Sequence, residues 1–415
     1  MDVPELIIRP VTDEELPAFN DTEMAAFGEH ADPADLDHVR KIIELDRSLA
    51  AFDGDRIVGT AGIYSFQLTV PGPPGRTRQL EAAGVTAVGV LPTHRRRGIL
   101  TRLMARQLDD IAERGEPLAL LTASEGGIYG RFGYGAATFF RKVDVDSRRA
   151  RLIRPPEGPG RVLLLDNAEA AKVLPAVYDR TRRVKVGEVS RSEAWWTELL
   201  RDSEHHQGGH GKRFDAVHER VPGEADGYVT YRFQHNWVEQ QPRGIVHVEE
   251  LVAADDEVHS ALWSYLLGID LAETVRGYVP LDDPMAWRLI DGRSFRTSRI
   301  GEHVWLRVLD VPAALAGRGY GADGRLVLRV DDRFRPASGG TFRLDVADGT
   351  GEAGPARGRP DLELAAGELG SLYLGGVAWR DLARAGRVAE HTPGALELAD
   401  RMFASYPAPW SSTDF

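Results

Sequence analysis

Cysteine is absent from the 415 residues, and that absence excludes disulfides, thiolate nucleophiles, cysteine-ligated zinc and iron–sulfur clusters. No apolar run approaches the roughly 18 residues that a membrane helix needs. The opening Met1-Asp2-Val3-Pro4-Glu5 is acidic and lacks the apolar stretch of a secretory signal. Positive charge is in short supply, with 51 lysines and arginines against 63 acids and a formal net charge of −12. Such a surface repels nucleic acid and anionic membranes and favours cationic substrates. With 42% apolar and 27% charged residues, the composition is that of a soluble, multidomain, cytoplasmic protein.

Glycine and proline punctuate the chain. Arg154-Pro155-Pro156-Glu157-Gly158-Pro159-Gly160 can continue neither a helix nor a central strand. A second change of character comes near Leu309-Asp310-Val311-Pro312. These breaks divide the chain into 1–155, 156–307 and 308–415. In the first segment, residues 48–52, the turn Asp53-Gly54-Asp55 and residues 56–63 read as strand, turn, strand. Residues 85–91 form a buried-type strand that ends at Pro92. Leu100, Leu103, Met104, Leu108 and Ile111 then mark one face of an amphipathic helix that Gly115 can end, and residues 118–122 read as a further strand. Strand, basic turn, helix and strand within about 40 residues predict an α/β domain. The middle segment echoes that order with a strand at 247–252 and a helix at 257–267. The last has short strands at 326–330 and 341–346. Thr392-Pro393 then opens a helix as N-cap and first residue, and the helix runs to about Tyr406.

Two motifs carry candidate chemistry. In Val88-Gly89-Val90-Leu91-Pro92-Thr93-His94-Arg95-Arg96-Arg97-Gly98-Ile99-Leu100-Thr101, a glycine and three arginines stand where a strand turns into a helix. Free N–H groups and the helix dipole favour an anion there, so the turn reads as a pyrophosphate cradle or, more blandly, as a solvated basic turn. It is not a P-loop, because the lysine-bearing glycine pattern is missing. In Ala123-Ser124-Glu125-Gly126-Gly127-Ile128-Tyr129-Gly130-Arg131-Phe132-Gly133-Tyr134-Gly135, glycines alternate with aromatics in a constrained loop whose tyrosines either present a phenol or simply pack. Glu204-His205-His206-Gln207-Gly208-Gly209-His210 has no metal-site spacing and reads as a solvated loop. Trp195-Trp196 reads as core or interface, and Asp331-Asp332 as a solvated turn.

The strand–Arg-Arg-x-Gly–helix element resembles the acetyl-CoA motif of GNAT N-acetyltransferases. The run from Val88 to Thr138 resembles the enhanced intracellular survival (Eis) family closely, with Leu100 where the general GNAT pattern has a small residue. The resemblance implies two tandem GNAT-like mixed-sheet domains followed by a sterol-carrier-protein-like α+β domain that bears the chain end. It also implies an acetyl-CoA-dependent N-acetyltransferase without a metal, assembled as a homohexamer. Carried over by position, Val88, Gly89 and Val90 offer backbone to the acetyl and pantetheine part. Arg96, Arg97, Gly98, Ile99, Leu100 and Thr101 hold the pyrophosphate, and Ser124 and Glu125 flank the arm. Tyr129 matches the family's general acid and the Phe415 α-carboxylate its general base. An ordinary phenol is about 1.5 pKa units too weak to protonate a departing thiolate downhill, so Tyr129 is either acidified by its site or acts by hydrogen bonding. Pro407 and Pro409 direct the tail away from the last helix, and Trp410 and Phe415 can anchor it. The expected acceptor is a cationic amine, such as an aminoglycoside or the lysine of a protein or peptide, with Asp414 binding it. A non-catalytic carrier of an apolar ligand in the C-terminal domain is the competing reading.

Overall fold

In the computed structural model, which describes residues 6–158, 160–202 and 207–415, the chain forms three large sheets. Strands and helices are numbered in chain order. Across the first sheet lie β1 (Ile7–Pro10), β2 (Leu49–Asp53), β3 (Arg56–Pro71), β4 (Thr77–Val90), β5 (Leu118–Thr122), β16 (Val304–Val308) and β6 (Gly135–Ala136). Residues alternate between its faces as the two-residue period of a strand requires. Ala50, Phe52 and Ile57 pack on α1 (Leu16–Phe27) and α2 (Leu36–Ile42). Ala51, Val58, Ala83 and Val85 pack on the opposite side against α3 (Ile99–Glu113) through Ile99, Leu103, Met104, Leu108 and Ile111. β4 and β5 are parallel and pair through Ala82–Gly84 and Leu118–Leu120, which is the strand–helix–strand unit expected from the periodicity. Both arms of the β3–β4 hairpin extend further than their apolar runs suggest. Their register continues to Pro71↔Thr77, where the turn begins.

The second sheet has the order β15 (Phe295–Glu302), β7 (Phe139–Asp146), β14 (Ala272–Pro280), β13 (Gly244–Ala253), β10 (Glu224–Gln234), β9 (Arg213–Val221) and β8 (Arg161–Leu165). It packs with α4 (Asn167–Arg182), α5 (Glu193–Arg201), α6 (Asp256–Leu267) and the short α7 (Met285–Arg288), and a two-stranded ribbon, β11 (Trp237–Val238) with β12 (Gln241–Pro242), stands between β10 and β13 in the chain. Here too a helix, α6, links parallel neighbours, β13 and β14. Trp196 lies edge-on to Tyr178 at 5.5 Å in the core. The third sheet, β19 (Thr350–Pro355), β18 (Gly340–Ala347), β17 (Gly324–Asp331), β20 (Leu362–Ala365) and β21 (Val388–Glu390), goes with α8 (Val311–Gly317), α9 (Ala366–Tyr373), α10 (Trp379–Arg384) and α11 (Ala395–Phe403).

The chain divides into two compact units. One runs up to Thr138, resumes at His303–Tyr406 and ends with Thr413–Phe415; the other is Phe139–Glu302 with Pro407–Ser412. Sheet membership therefore changes at Thr138/Phe139 and Glu302/His303, whereas composition changes near 155 and 308. The cause is long-range ladder formation. β16 pairs residue for residue with β5, and β7 is clasped between β14 and β15.

Three local expectations are corrected. The last helix begins at Ala395 behind Gly394 (φ +89°), not at Pro393, and ends at Phe403 rather than near Tyr406. Asp332 is no solvated turn residue: it is buried and pairs at 2.6 Å with the buried Arg307. Tail anchoring falls to Ser411 and Thr413, both fully buried, more than to the half-buried Trp410. The opening pentapeptide, Pro159, and His205 and His206 lie outside the described residues. His210, from the same tract, stacks on His247 at 4.1 Å.

Candidate active site

The arginine turn places its three cations differently. The Arg95 guanidinium donates to the Ala26 carbonyl at 3.1 Å, and Arg97 pairs with Asp53 at 3.2 Å, a carboxylate it shares with His94. Arg96 is exposed, has no hydrogen-bond or ion-pair partner among the described residues, and sits at φ +62°. An L-residue in the left-handed region carries strain that surrounding structure must hold, a frequent mark of ligand-binding backbone. Gly98, at φ +77°, is the N-cap of α3 and offers no side chain to the first turn. The N–H groups of Ile99, Leu100 and Thr101 are thus left for an anion. An exposed cation beside an uncapped helix start fits a pyrophosphate.

Beyond Gly84, β4 has no ladder pairing with β5 among the described residues and continues to Val90. A bulge at Ala87 (φ +51°) shifts its register on β3, and the Thr60 hydroxyl holds the Ala87 carbonyl at 2.8 Å. Val88, Gly89 and Val90 form the end of this strand, the stretch available to an extended amide-bearing arm. On the neighbouring strand, β5 ends at Thr122, and the exposed Ser124 and Glu125 follow.

Tyr129 begins a short 3-10 turn, Tyr129–Phe132, and is buried among Val85, Leu121 and Tyr134, whose ring lies edge-on at 6.1 Å. Burial first, and Glu125 second, push its phenol above the ordinary value. A phenol raised in this way keeps its proton and can donate a hydrogen bond. The turn is held from below: Arg307 donates to the Phe132 carbonyl and to Asp332.

The tail reaches the same sheet. In the second unit, Trp410 N–H donates to the Val186 carbonyl (2.9 Å) and Ser412 N–H to Glu188 (3.0 Å). In the first, the Thr122 hydroxyl donates to the Phe415 main-chain oxygen at 2.6 Å, and the Phe415 ring meets Phe66 edge-on at 4.9 Å. A Cβ on Gly84 would strike Phe66 at 2.3 Å and crowd Phe415, so glycine makes room for both rings. Asp414 is exposed, 4.0 Å from the His303 imidazole.

The structure thus brings Phe415 to the end of β5, next to the strand bearing Val88, Gly89 and Val90, with Tyr129 in the loop that follows. Sequence reasoning missed Thr122, Phe66, Gly84, His303 and the Arg307–Asp332 pair. No local pattern marks any of them, because each acquires its role from a segment distant in the chain. No cluster of three metal-ligating side chains occurs among the described residues.

Residues 7–137 and 187–308 each match a family described as acetyltransferase (GNAT) domain, and residues 311–412 match the sterol carrier protein domain. An uncharacterized N-acetyltransferase of Streptomyces avermitilis is 41% identical over 94% of this chain and 95% of its own. The N-acetyltransferase Eis of Mycobacterium tuberculosis is 35% identical over 95% of this chain and 96% of its own. The chain belongs to the Eis family. The crystal structure of Eis1 from Mycobacterium abscessus is 36% identical and superposes with a TM-score of 0.87 over 99% of this chain and 100% of that one. This Eis-family chain is accordingly a GNAT N-acetyltransferase, with tandem GNAT domains ahead of a sterol-carrier-like domain and acetyl-CoA as its co-substrate.

In this Eis-family chain an arginine–glycine turn opens α3 of the first GNAT domain, and among the described residues the corresponding helix of the second opens differently. In the second, α6 opens on Asp255, whose carboxylate already accepts from the Glu257 and Val258 N–H groups, and Asp256 and Glu257 add negative charge. Such a helix start repels a phosphate. Among the described residues, no helix is long and apolar enough to cross a membrane.

Proposed function

We propose that the chain acetylates a primary amine of a multiply cationic acceptor, with the Phe415 α-carboxylate as general base and Tyr129 as hydrogen-bond donor to the leaving sulfur. The observation that carries this reading is the 2.6 Å bond from the Thr122 hydroxyl to the Phe415 oxygen, at the end of the strand neighbouring the unpaired stretch of β4. When bound, acetyl-CoA supplies the activated acyl group. Arg96, Arg97 and the Ile99, Leu100 and Thr101 amides at the Gly98 turn hold its pyrophosphate. Val88, Gly89 and Val90 lend backbone to its arm, which Ser124 and Glu125 flank. As the acceptor nitrogen forms its bond to the acetyl carbon, Phe415 takes the ammonium proton. As the carbon–sulfur bond breaks, Tyr129, still protonated, donates a hydrogen bond to the sulfur.

The net charge of −12 and the exposed Asp414 favour an acceptor such as an aminoglycoside or a lysine side chain. The family resemblance adds a homohexamer working in the cytoplasm; light scattering that returned a monomer would refute that assembly. The mechanism is tested by extending the chain with one alanine after Phe415, which turns the carboxylate into an amide. Acetyl transfer should vanish while calorimetric acetyl-CoA binding persists. Full kcat in the extended chain would rule Phe415 out as the base.

A further inference from the structure

On the α1 side of the first sheet, the partly buried Glu23 carboxylate has no hydrogen-bond or ion-pair partner among the described residues. Glu23 lies in α1, where its carbonyl oxygen is 3.8 Å from the place a Cβ on Gly89 would occupy, and Ala26 of the next turn is 2.7 Å from that place. The helix therefore crosses β4 at the end that has parted from β5. Tyr64 of β3 senses Glu23 directly: burial raises its phenol first, and Glu23 and Glu44 raise it further. Tyr64 is in register with Gly84, and its ring is 6.0 Å from that of Phe66, on which Phe415 packs. By strand alternation Thr122, which holds Phe415, points to the same side, because its neighbours Ala119 and Leu121 face α3. Glu23, Tyr64, Phe66, Thr122 and Phe415 thus share one face.

Glu23 is partly buried, and no hydrogen bond or ion pair reaches its carboxylate from any described residue. Burial alone lifts it to about 7. Its surroundings offer little compensation. β3 presents Tyr64, with Glu44 beyond, itself bound to Ser65. β4 presents Gly89, and α2 turns Leu36 and Val39 inward. Ahead of the helix, Asp13 and Glu15 are committed to Arg40 and Arg9, and Arg95 donates to the Ala26 and Val90 carbonyls. A desolvated carboxylate without a cation gains most from a cation supplied by a ligand.

We propose that Glu23 is the receptor for a second ammonium of the acceptor, the one that is not acetylated, and so selects acceptors with two separated cationic nitrogens. The proposal rests on the acetyl-transfer reading above. Without acceptor, burial favours the protonated form of Glu23, and pairing with an ammonium favours the carboxylate, so binding expels protons.

The test uses the full chain with CoA present, titrated calorimetrically with diaminooctane and with octylamine in two buffers of different ionisation enthalpy, alongside kcat/KM for both amines. The wild type should prefer the diamine about tenfold or more. Diamine binding at pH 7 should release a fraction of a proton that octylamine does not. In Glu23→Gln both the proton release and most of the preference should disappear, and Glu23→Asp should keep part of each; retained CoA affinity certifies folded variants. An undiminished diamine preference in Glu23→Gln, or diamine binding without proton release, would overturn the proposal. Failure of the wild type to acetylate any amine would instead overturn the acetyl-transfer reading, and the calorimetry would still decide Glu23.

Discussion

Burial raises both the Tyr129 phenol and the Glu23 carboxyl above their ordinary values, helped by Glu125 at Tyr129 and acting alone at Glu23. For Tyr129 the consequence is catalytic. Its hydroxyl serves with the proton on, so Tyr129→Phe should lower kcat by roughly 10²–10⁴ with little change in either KM, measured by varying each substrate at saturating levels of the other. A near-wild-type kcat would leave Tyr129 a packing residue. For Glu23 the consequence is thermodynamic. Its folded value of about 7 lies above the ordinary 4.5, so the folded chain binds the proton more tightly than the unfolded one. Stability from this group is complete below pH 4.5 and is lost as pH rises through 7, by about 1–3 kcal/mol. His247 works in the opposite sense. Burial pushes it down to about 4, so its contribution is present above pH 6.5 and is lost as pH falls towards 4. Urea unfolding at pH 5 and pH 8 isolates Glu23, because Glu23→Gln should lose the decline towards alkaline pH and keep the acid limb. Identical pH profiles in the two proteins would refute the assignment.

At the scale of elements, the start of α3 is where sequence and conformation reinforce each other. Gly98 leaves the helix uncapped and Arg96 is held in the left-handed region beside it. Charge and conformation can be separated by substitution. Arg96→Ala should raise the acetyl-CoA KM tenfold or more, in line with about 1.5–3 kcal/mol for a charge-assisted phosphate bond. Arg97→Ala should cost less, because Asp53 already shares its guanidinium. Arg96→Gly fits φ +62° without strain and should raise KM as Arg96→Ala does while Tm stays at or above wild type. Steady-state kinetics with varied acetyl-CoA, together with thermal melts, check all three. An unchanged KM in both position-96 variants would end the cradle assignment.

Across the whole molecule, the duplicated strand–helix–strand plan does not duplicate the site. The first GNAT domain opens its helix on arginines and glycine, the second on Asp255, Asp256 and Glu257. Calorimetry should therefore give one acetyl-CoA per chain, and a stoichiometry of two would contradict the electrostatic argument. The tail crosses from one compact unit to the other within its last nine residues, 407–415. The proposed base is thus held by the first unit's own strand through Thr122 rather than by the arm that precedes it.

The sequence alone determined the features that neighbours within a few residues control. The amphipathic stripe of α3, the arginine turn, the glycine–aromatic loop around Tyr129 and the strands flanking them follow from local periodicity and backbone freedom. They were enough to expect an α/β domain, and the resemblance of the two motifs to the Eis family supplied the GNAT plan. Only the tertiary structure decided which strand closes the first sheet, what supports Tyr129, and where the last residue lies. β16 pairs with β5 across nearly half the chain's contour, Arg307 reaches under the Phe132 carbonyl, and Thr122 meets Phe415 at a separation of 293 residues. Glu23 belongs with these, an ordinary helix glutamate in sequence whose environment arises only when α1 lies across β4. Ladder bonds and burial between distant segments leave no periodic signature in either partner, so the side chains they bring together are visible only in the fold.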